Sequence, residues 1–311
     1  MLRFLVATAA LIVGLQGCKR EPTRRDPAAA GPDPWADTVA KAGDPAAKRI
    51  TRPFLWQADK DGVTTWLFGA VHMGVNAETQ LPGYVLERIA TAKTFVMEAD
   101  TADPGLALAM QRADGGSLRA DLGPEHWKKL EDEIGAGGAE RFDGLKPFMV
   151  LAVLAAKDLP LTPPMDAALA DRARAAERPI HYLELAADQL AMVDPWINAA
   201  DIKALLDNRE LARSLSGQLI DAYRAGDDQA LAAMFDEQTL WLAAGRKPET
   251  FPAYLDAVLG KRNRAWIPQL ERLHAAGGAF VAVGVGHLVG PSNVLGLLAE
   301  RGFTITRVTA P

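Results

Sequence analysis

Two histidines carry the chemistry this sequence could do, and each stands three residues after a glycine. Thr64-Thr65-Trp66-Leu67-Phe68-Gly69-Ala70-Val71-His72 lies towards one end of the chain, and Ala279-Phe280-Val281-Ala282-Val283-Gly284-Val285-Gly286-His287 towards the other. Each is an apolar run closed by Gly-x-x-His. Each is followed by a helix-like stretch and a second apolar run, Thr94-Phe95-Val96-Met97-Glu98 in one case and Phe303-Thr304-Ile305-Thr306-Arg307-Val308 in the other. The pattern reads as β–GxxH–α–β, twice. Glycine permits a sharp turn at the end of a strand, and a histidine just beyond it stands where open α/β sheets hold ligands. Imidazole ligates metals and moves protons near neutral pH. Two histidines with a carboxylate form a familiar set for a hydrolytic metal that keeps a place for water. The bland alternative is that both histidines only cap strand ends through hydrogen bonds.

Other polar residues are weighed the same way. Glu98 closes an apolar strand beside Met97, where a solvated acid is not expected, and it reads as a site carboxylate. Glu184 closes Tyr182-Leu183-Glu184 and is evenly balanced between a site and a structural role. Asp166 reads equally well as the N-cap of the helix that follows it. Arg262 and Asn263, in Lys261-Arg262-Asn263-Arg264, could orient a substrate carbonyl or an oxyanion, or could belong to a solvated helical face. The remaining histidines have structural readings. His126 opens a charged helix at the surface, His181 is satisfied within a strand, and His274 is a cation favoured by a helix C-terminus.

These residues need elements to hold them. Pro53-Phe54-Leu55-Trp56 and Thr64 to Phe68 read as strands joined by the turn Asp59-Lys60-Asp61-Gly62. Leu81 to Ala92 has helical spacing, with Val85, Leu86, Ile89 and Ala90 on one face. From about 104 to 272 the chain reads as mostly helical, with helices expected at 105–113, 124–134, 147–156, 165–176, 187–193, 200–225, 227–243, 250–258 and 260–275. One strand, Pro179 to Glu184, interrupts them. The two GxxH units thus flank a helical middle. A single α/β domain over 51–311 with a helical insertion explains this better than two domains, since each unit alone is too small for a comfortable core.

The chain has 311 residues, 49% of them apolar, and a net charge of −5, which argues against a broad nucleic-acid-binding face. Residues 1–18 read as an export signal. Arg3 supplies the positive start, Phe4 to Leu15 the apolar core, and Leu15-Gln16-Gly17-Cys18 looks like a lipobox. Cys18 is the only cysteine, so no internal disulfide is possible and lipidation is its natural use. An ordinary secretory signal cleaved nearby is the alternative. Residues 19–50, rich in Pro, Ala, Asp, Lys and Arg, read as a tether that holds the domain clear of a membrane. Lys19 leaves outer-membrane sorting open.

Taken together, Gly69-Ala70-Val71-His72-Met73-Gly74, Glu98, Leu183-Glu184 followed by Gln189, Tyr223-Arg224-Ala225-Gly226-Asp227, Arg262-Asn263 and Val283-Gly284-Val285-Gly286-His287-Leu288-Val289-Gly290 resemble the TraB/GumN family over roughly residues 53 to 309. Leu183-Glu184-Leu185 departs from the usual hydroxyl-bearing third position. The resemblance implies a mixed sheet flanked by helices and built from two related halves, akin to erythromycin-esterase-like and ChaN-like proteins. It implies a Tiki-like divalent-metal peptidase, with manganese or cobalt, or else zinc, acting through metal-activated water. By that match His72, His287 and Glu98 are metal ligands, Glu98 or Glu184 serves as a base, and the partners are peptide or protein substrates and a membrane held through Cys18, at the periplasmic face of a bacterial envelope. The alternative on the same scaffold is a non-catalytic haem- or peptide-binding lipoprotein, because scaffold alone does not guarantee hydrolysis.

Overall fold

The computed structural model describes residues 49–100 and 103–310. The signal, Cys18 and nearly all of the tether lie outside the described residues. The folded part already includes Ile50, which the tether was expected to contain. It is buried, and its N–H donates to the Gln80 carbonyl at 2.8 Å.

Six strands form one mixed sheet: β1 (Leu55–Lys60), β2 (Val63–Ala70), β3 (Phe95–Asp100), β4 (Ile180–Leu185), β5 (Phe280–Gly284) and β6 (Thr304–Arg307), in the order β4-β3-β5-β2-β1-β6. β1 and β2 are an antiparallel hairpin whose turn residues Asp61 and Gly62 have φ of 51° and 76°. Positive φ at both positions suits the right-handed twist of a hairpin. β2, β5, β3 and β4 are mutually parallel neighbours, and β6 closes the other edge antiparallel to β1.

β5 is buried along its whole length, because it lies between β2 and β3 with helices on both faces. The chain leaves β2 through helix Gly83–Thr91 to reach β3 on one side of β5. It leaves β5 through helix Val294–Glu300 to reach β6 on the other side. Right-handed crossovers running in opposite directions place these helices on opposite faces. A crevice therefore opens beyond the carboxyl ends of β2 and β5, at the point where the connections diverge.

The middle of the chain is helical as expected, with local corrections. The helix expected over 200–225 is broken at Asn208 into Ala199–Asp207 and Arg209–Ala225, where Arg209 turns to meet Asp158 and Glu133. The one expected over 227–243 is a short helix Asp228–Ala233, a 3₁₀ turn Met234–Asp236 and a second helix Thr239–Ala243. The 105–113 helix is only Leu106–Ala109. The expected break near 259 is instead a π turn, Asp256–Gly260, that joins Phe251–Leu255 to Lys261–Ala275. This middle region is no appendage, since it contributes β4 to the sheet.

Candidate metal and peptide site

The register of β2 on β5 sets the site. Gly69 pairs with Val283 and Ala70 with Gly284, so the two motifs end side by side, staggered by one residue. A side chain at either motif glycine would crowd what approaches it. A Cβ on Gly69 would lie 2.9 Å from the Val285 side chain of the other motif. A Cβ on Gly284 would lie 3.1 Å from Glu98 Oε1, 3.8 Å from His287 Cδ2 and 3.9 Å from His72 Nε2. Both histidines and Glu98 thus surround the space that one missing side chain leaves.

Second partners fix both rings. His72 Nδ1 is hydrogen-bonded to Asp166 Oδ2. A carboxylate accepts, so Nδ1 carries a proton, and whenever the ring is neutral Nε2 presents a lone pair. That Nε2 is buried and has no partner. Asp166 is not the N-cap, which is Pro164. It sits in the first turn of helix Met165–Ala175, and the Met165 N–H donates to the His72 carbonyl at 2.9 Å. His287 Nδ1 meets Asn263 Oδ1 at 2.5 Å, while Asn263 Nδ2 donates to the Ser292 carbonyl at 2.9 Å. The Trp266 ring packs on His287 with centroids 4.4 Å apart.

Glu98, Glu184 and Arg262 lie beside them. Glu98 is inside β3 rather than at its exit. Its Oε1 accepts from the Gly284 N–H at 2.5 Å, and its Oε2 from Arg262 Nη2 at 2.7 Å and Gln189 Nε2 at 3.1 Å. Arg262 Nε donates to Glu184 at 2.9 Å, Nη2 also donates to Glu184, and Nη1 donates to the Val258 carbonyl at 3.1 Å and to His287 Nε2 at 3.0 Å. All five guanidinium N–H donors are thereby committed, and none remains for an oxyanion. Asn263 is fully buried with both polar ends in use. The arrangement makes Arg262 an internal counter-charge and Asn263 a residue that positions His287. Trp266 Nε1 donates to Glu184 Oε2 at 3.3 Å.

Electrostatics separate the groups. Burial pushes Glu98 up, but His287, Arg262, His72 and the Gly284 amide together bring it down to about 2. Burial brings His287 down to about 3, against the pull of Glu98. His287 is therefore neutral near pH 7, and there Arg262, His72 and the Gly284 amide remain to hold Glu98 down. Burial lowers His72, but Asp166 reverses this and leaves it above its ordinary value. Burial raises Glu184 in spite of Arg262.

The profile of the TraB/PrgY/gumN family matches residues 54–307. The chain belongs to this family. No curated protein and no solved structure matched it.

The family resemblance implies a divalent metal, and the donors can be tested against it. His72 Nε2 is a buried, unpartnered lone pair backed by a carboxylate, the arrangement by which proteins orient a ligating histidine. Glu98 Oε1 shares its space. The His287 lone pair is occupied by Arg262 Nη1, and His287 Nε2 is 3.6 Å from Glu98 Oε1. Among the described residues no three such side chains already form a closed cage. Two donors, His72 Nε2 and Glu98 Oε1, face one space on the His72 side, and Arg262 would have to yield its bond for His287 to join them.

The other histidines fall away from the site. His126 meets Asp207 at 3.1 Å. His181 is exposed rather than satisfied within its strand. His274 stands in the last turn of its helix as expected, and it is buried there between the Thr65 hydroxyl at 2.9 Å and the Lys60 carbonyl at 3.0 Å. Sequence reasoning missed the roles of Asp166, Gln189 and Trp266 in holding the site. Trp266 follows Arg262 by four residues on one helix, a spacing that shares a face. Asp166 is 94 residues from His72, and no local pattern links them.

Proposed function

We propose that the protein is an envelope-tethered peptidase that depends on a divalent metal. The observation that carries this reading is the unpartnered, buried His72 Nε2 facing the same space as Glu98 and His287. His72, Glu98 and, once Arg262 yields, His287 would hold the ion. When bound, such an ion polarises a substrate carbonyl and acidifies water. Manganese, cobalt and zinc all accept this nitrogen and oxygen set.

The protein groups do the rest. Asp166 and Asn263 hold the two imidazoles with Nε2 turned inward. Glu98, the weaker base, suits ligation. Glu184, raised by burial, suits accepting and returning a proton, since a base works best with its pKa nearer the working pH. Arg262 balances both carboxylates. The anchor is read from Leu15-Gln16-Gly17-Cys18. No helix among the described residues is long and apolar enough to cross a membrane.

The apolar-lined cavity beside the histidines is ≈ 60 Å³. The test is elemental analysis of the full chain in nanodiscs after exposure to manganese, cobalt or zinc, together with peptide cleavage followed by mass spectrometry. Equimolar metal and cleavage, both lost in His72→Ala and reduced in His287→Ala, are expected. A chain that takes up none of the three ions and cleaves no peptide would overturn the reading.

A further inference from the structure

The cavity beside His72 and His287 has a chemistry of its own. Its floor is the ends of β2 and β5, and its only polar side chains are the two histidines. Leu219, Leu231 and Leu259 form buried walls, while Met234, Phe235 and Val289 are half-buried at the lip. The glycines of the second motif shape this lip. A Cβ on Gly286 would come within 3.3 Å of the Phe235 ring, and one on Gly290 within 2.9 Å. Gly286 and Gly290 therefore let Phe235 lie against the loop that carries His287. Well-packed interiors leave few voids of this kind. An apolar void tends to stay dry and accept apolar guests, and methionine at its lip adapts to what enters.

We propose that this cavity receives one apolar side chain of the peptide substrate, of the size of valine or leucine, on the residue next to the scissile bond. This rests on the peptidase reading. A side chain seated there brings its own backbone to the histidines that form the floor. A charged side chain is disfavoured, because the walls above the histidine floor are apolar and burial of an unpaired charge is costly.

The test has two arms, both on the full chain in nanodiscs. In the first, protein labelled at its methionine methyls is titrated with N-acetyl-leucine amide and with N-acetyl-aspartate amide. The Met234 methyl should move with the leucine amide only. Val289→Trp, which plugs the lip, should abolish that movement, and the milder Gly286→Ala should weaken it. In the second, metal-loaded protein is given peptides that differ at one position. Cleavage should favour Val or Leu over Asp or Lys there by at least roughly tenfold in kcat/KM, and Val289→Trp should shift the preference to Ala.

A Met234 methyl unmoved by the leucine amide up to its solubility limit overturns the proposal, as does cleavage indifferent to the varied side chain. A Met234 shift without cleavage of any peptide supports the pocket and sinks the peptidase reading. Cleavage without a Met234 shift does the reverse.

Discussion

At the scale of single residues, the two GxxH histidines are held alike and titrate in opposite directions. Asp166 gives His72 an anionic partner, and its proton affinity rises. Asn263 gives His287 a neutral one, and burial prevails. Replacing Asp166 by Asn should keep the ring in place but weaken metal binding by about 10- to 100-fold, as read by competition with a fluorescent chelator. Unchanged affinity would remove Asp166 from the site. The low pKa of His287 also sets a pH dependence. Folding holds it near 3 against 6.5 unfolded, so the stability it contributes is present above pH 6.5 and is lost as pH falls towards 3. This is worth at most about 5 kcal/mol. Glu98, held near 2 against 4.5, steepens the loss below pH 4.5. His72 acts in the opposite sense, since stability from its raised pKa is lost as pH rises through it. Thermal melts of the metal-free protein should fall between pH 6.5 and 3, and His287→Gln should flatten that slope. A slope unchanged in His287→Gln would show that another group drives acid unfolding.

At the scale of elements, the sequence motifs act by tying turns together. Tyr223 donates to the Gly69 carbonyl at 2.7 Å and Arg224 to the Gly74 carbonyl at 3.0 Å, gripping the loop of His72 from both sides. Gly226 then ends that helix at φ 67°, and Asp227 caps the next one. A Cβ on Gly226 would lie 2.1 Å from the Arg52 carbonyl oxygen. Tyr223→Phe should cost about 1–2 kcal/mol for the orphaned Gly69 carbonyl. Gly226→Ala should cost more, because clash adds to strain in the left-handed region. Denaturant melts of the two variants check the order. The π turn Asp256–Gly260 works similarly, since such insertions recur at functional sites. It ends two residues before Arg262, and its Val258 carbonyl accepts from Arg262.

At the scale of the whole molecule, the sheet joins the two ends of the chain through its middle. β5 comes from residue 280 onward yet lies between β2 and β3, both completed by residue 100. Removing residues 279–310 should therefore not leave a shortened domain. It should expose two facing strand edges and yield aggregated protein by size-exclusion chromatography. A monomeric product with native circular dichroism would contradict this. The helical middle is bound into the same unit, because β4, Asp166, Glu184 and Arg262 all come from it.

Period and punctuation were sufficient to reveal the α/β class, the hairpin, the paired GxxH units and an acid, Glu98, beside an apolar strand, though they placed it at the strand's exit rather than within it. Each depends on neighbours within a few residues, where alternation, glycine and turn chemistry act. The helix at 200–225 was misread because its break at Asn208 accompanies distant ionic partners of Arg209, and the seam near 259 because a π turn leaves helical composition unchanged. Burial of Asn263, full use of the Arg262 donors and the grip of Asp166 on His72 arise only when strands from opposite ends of the chain lie side by side. Local pattern supplies candidate ligands, and long-range packing settles which nitrogen of each histidine faces the site and which lone pair is left free.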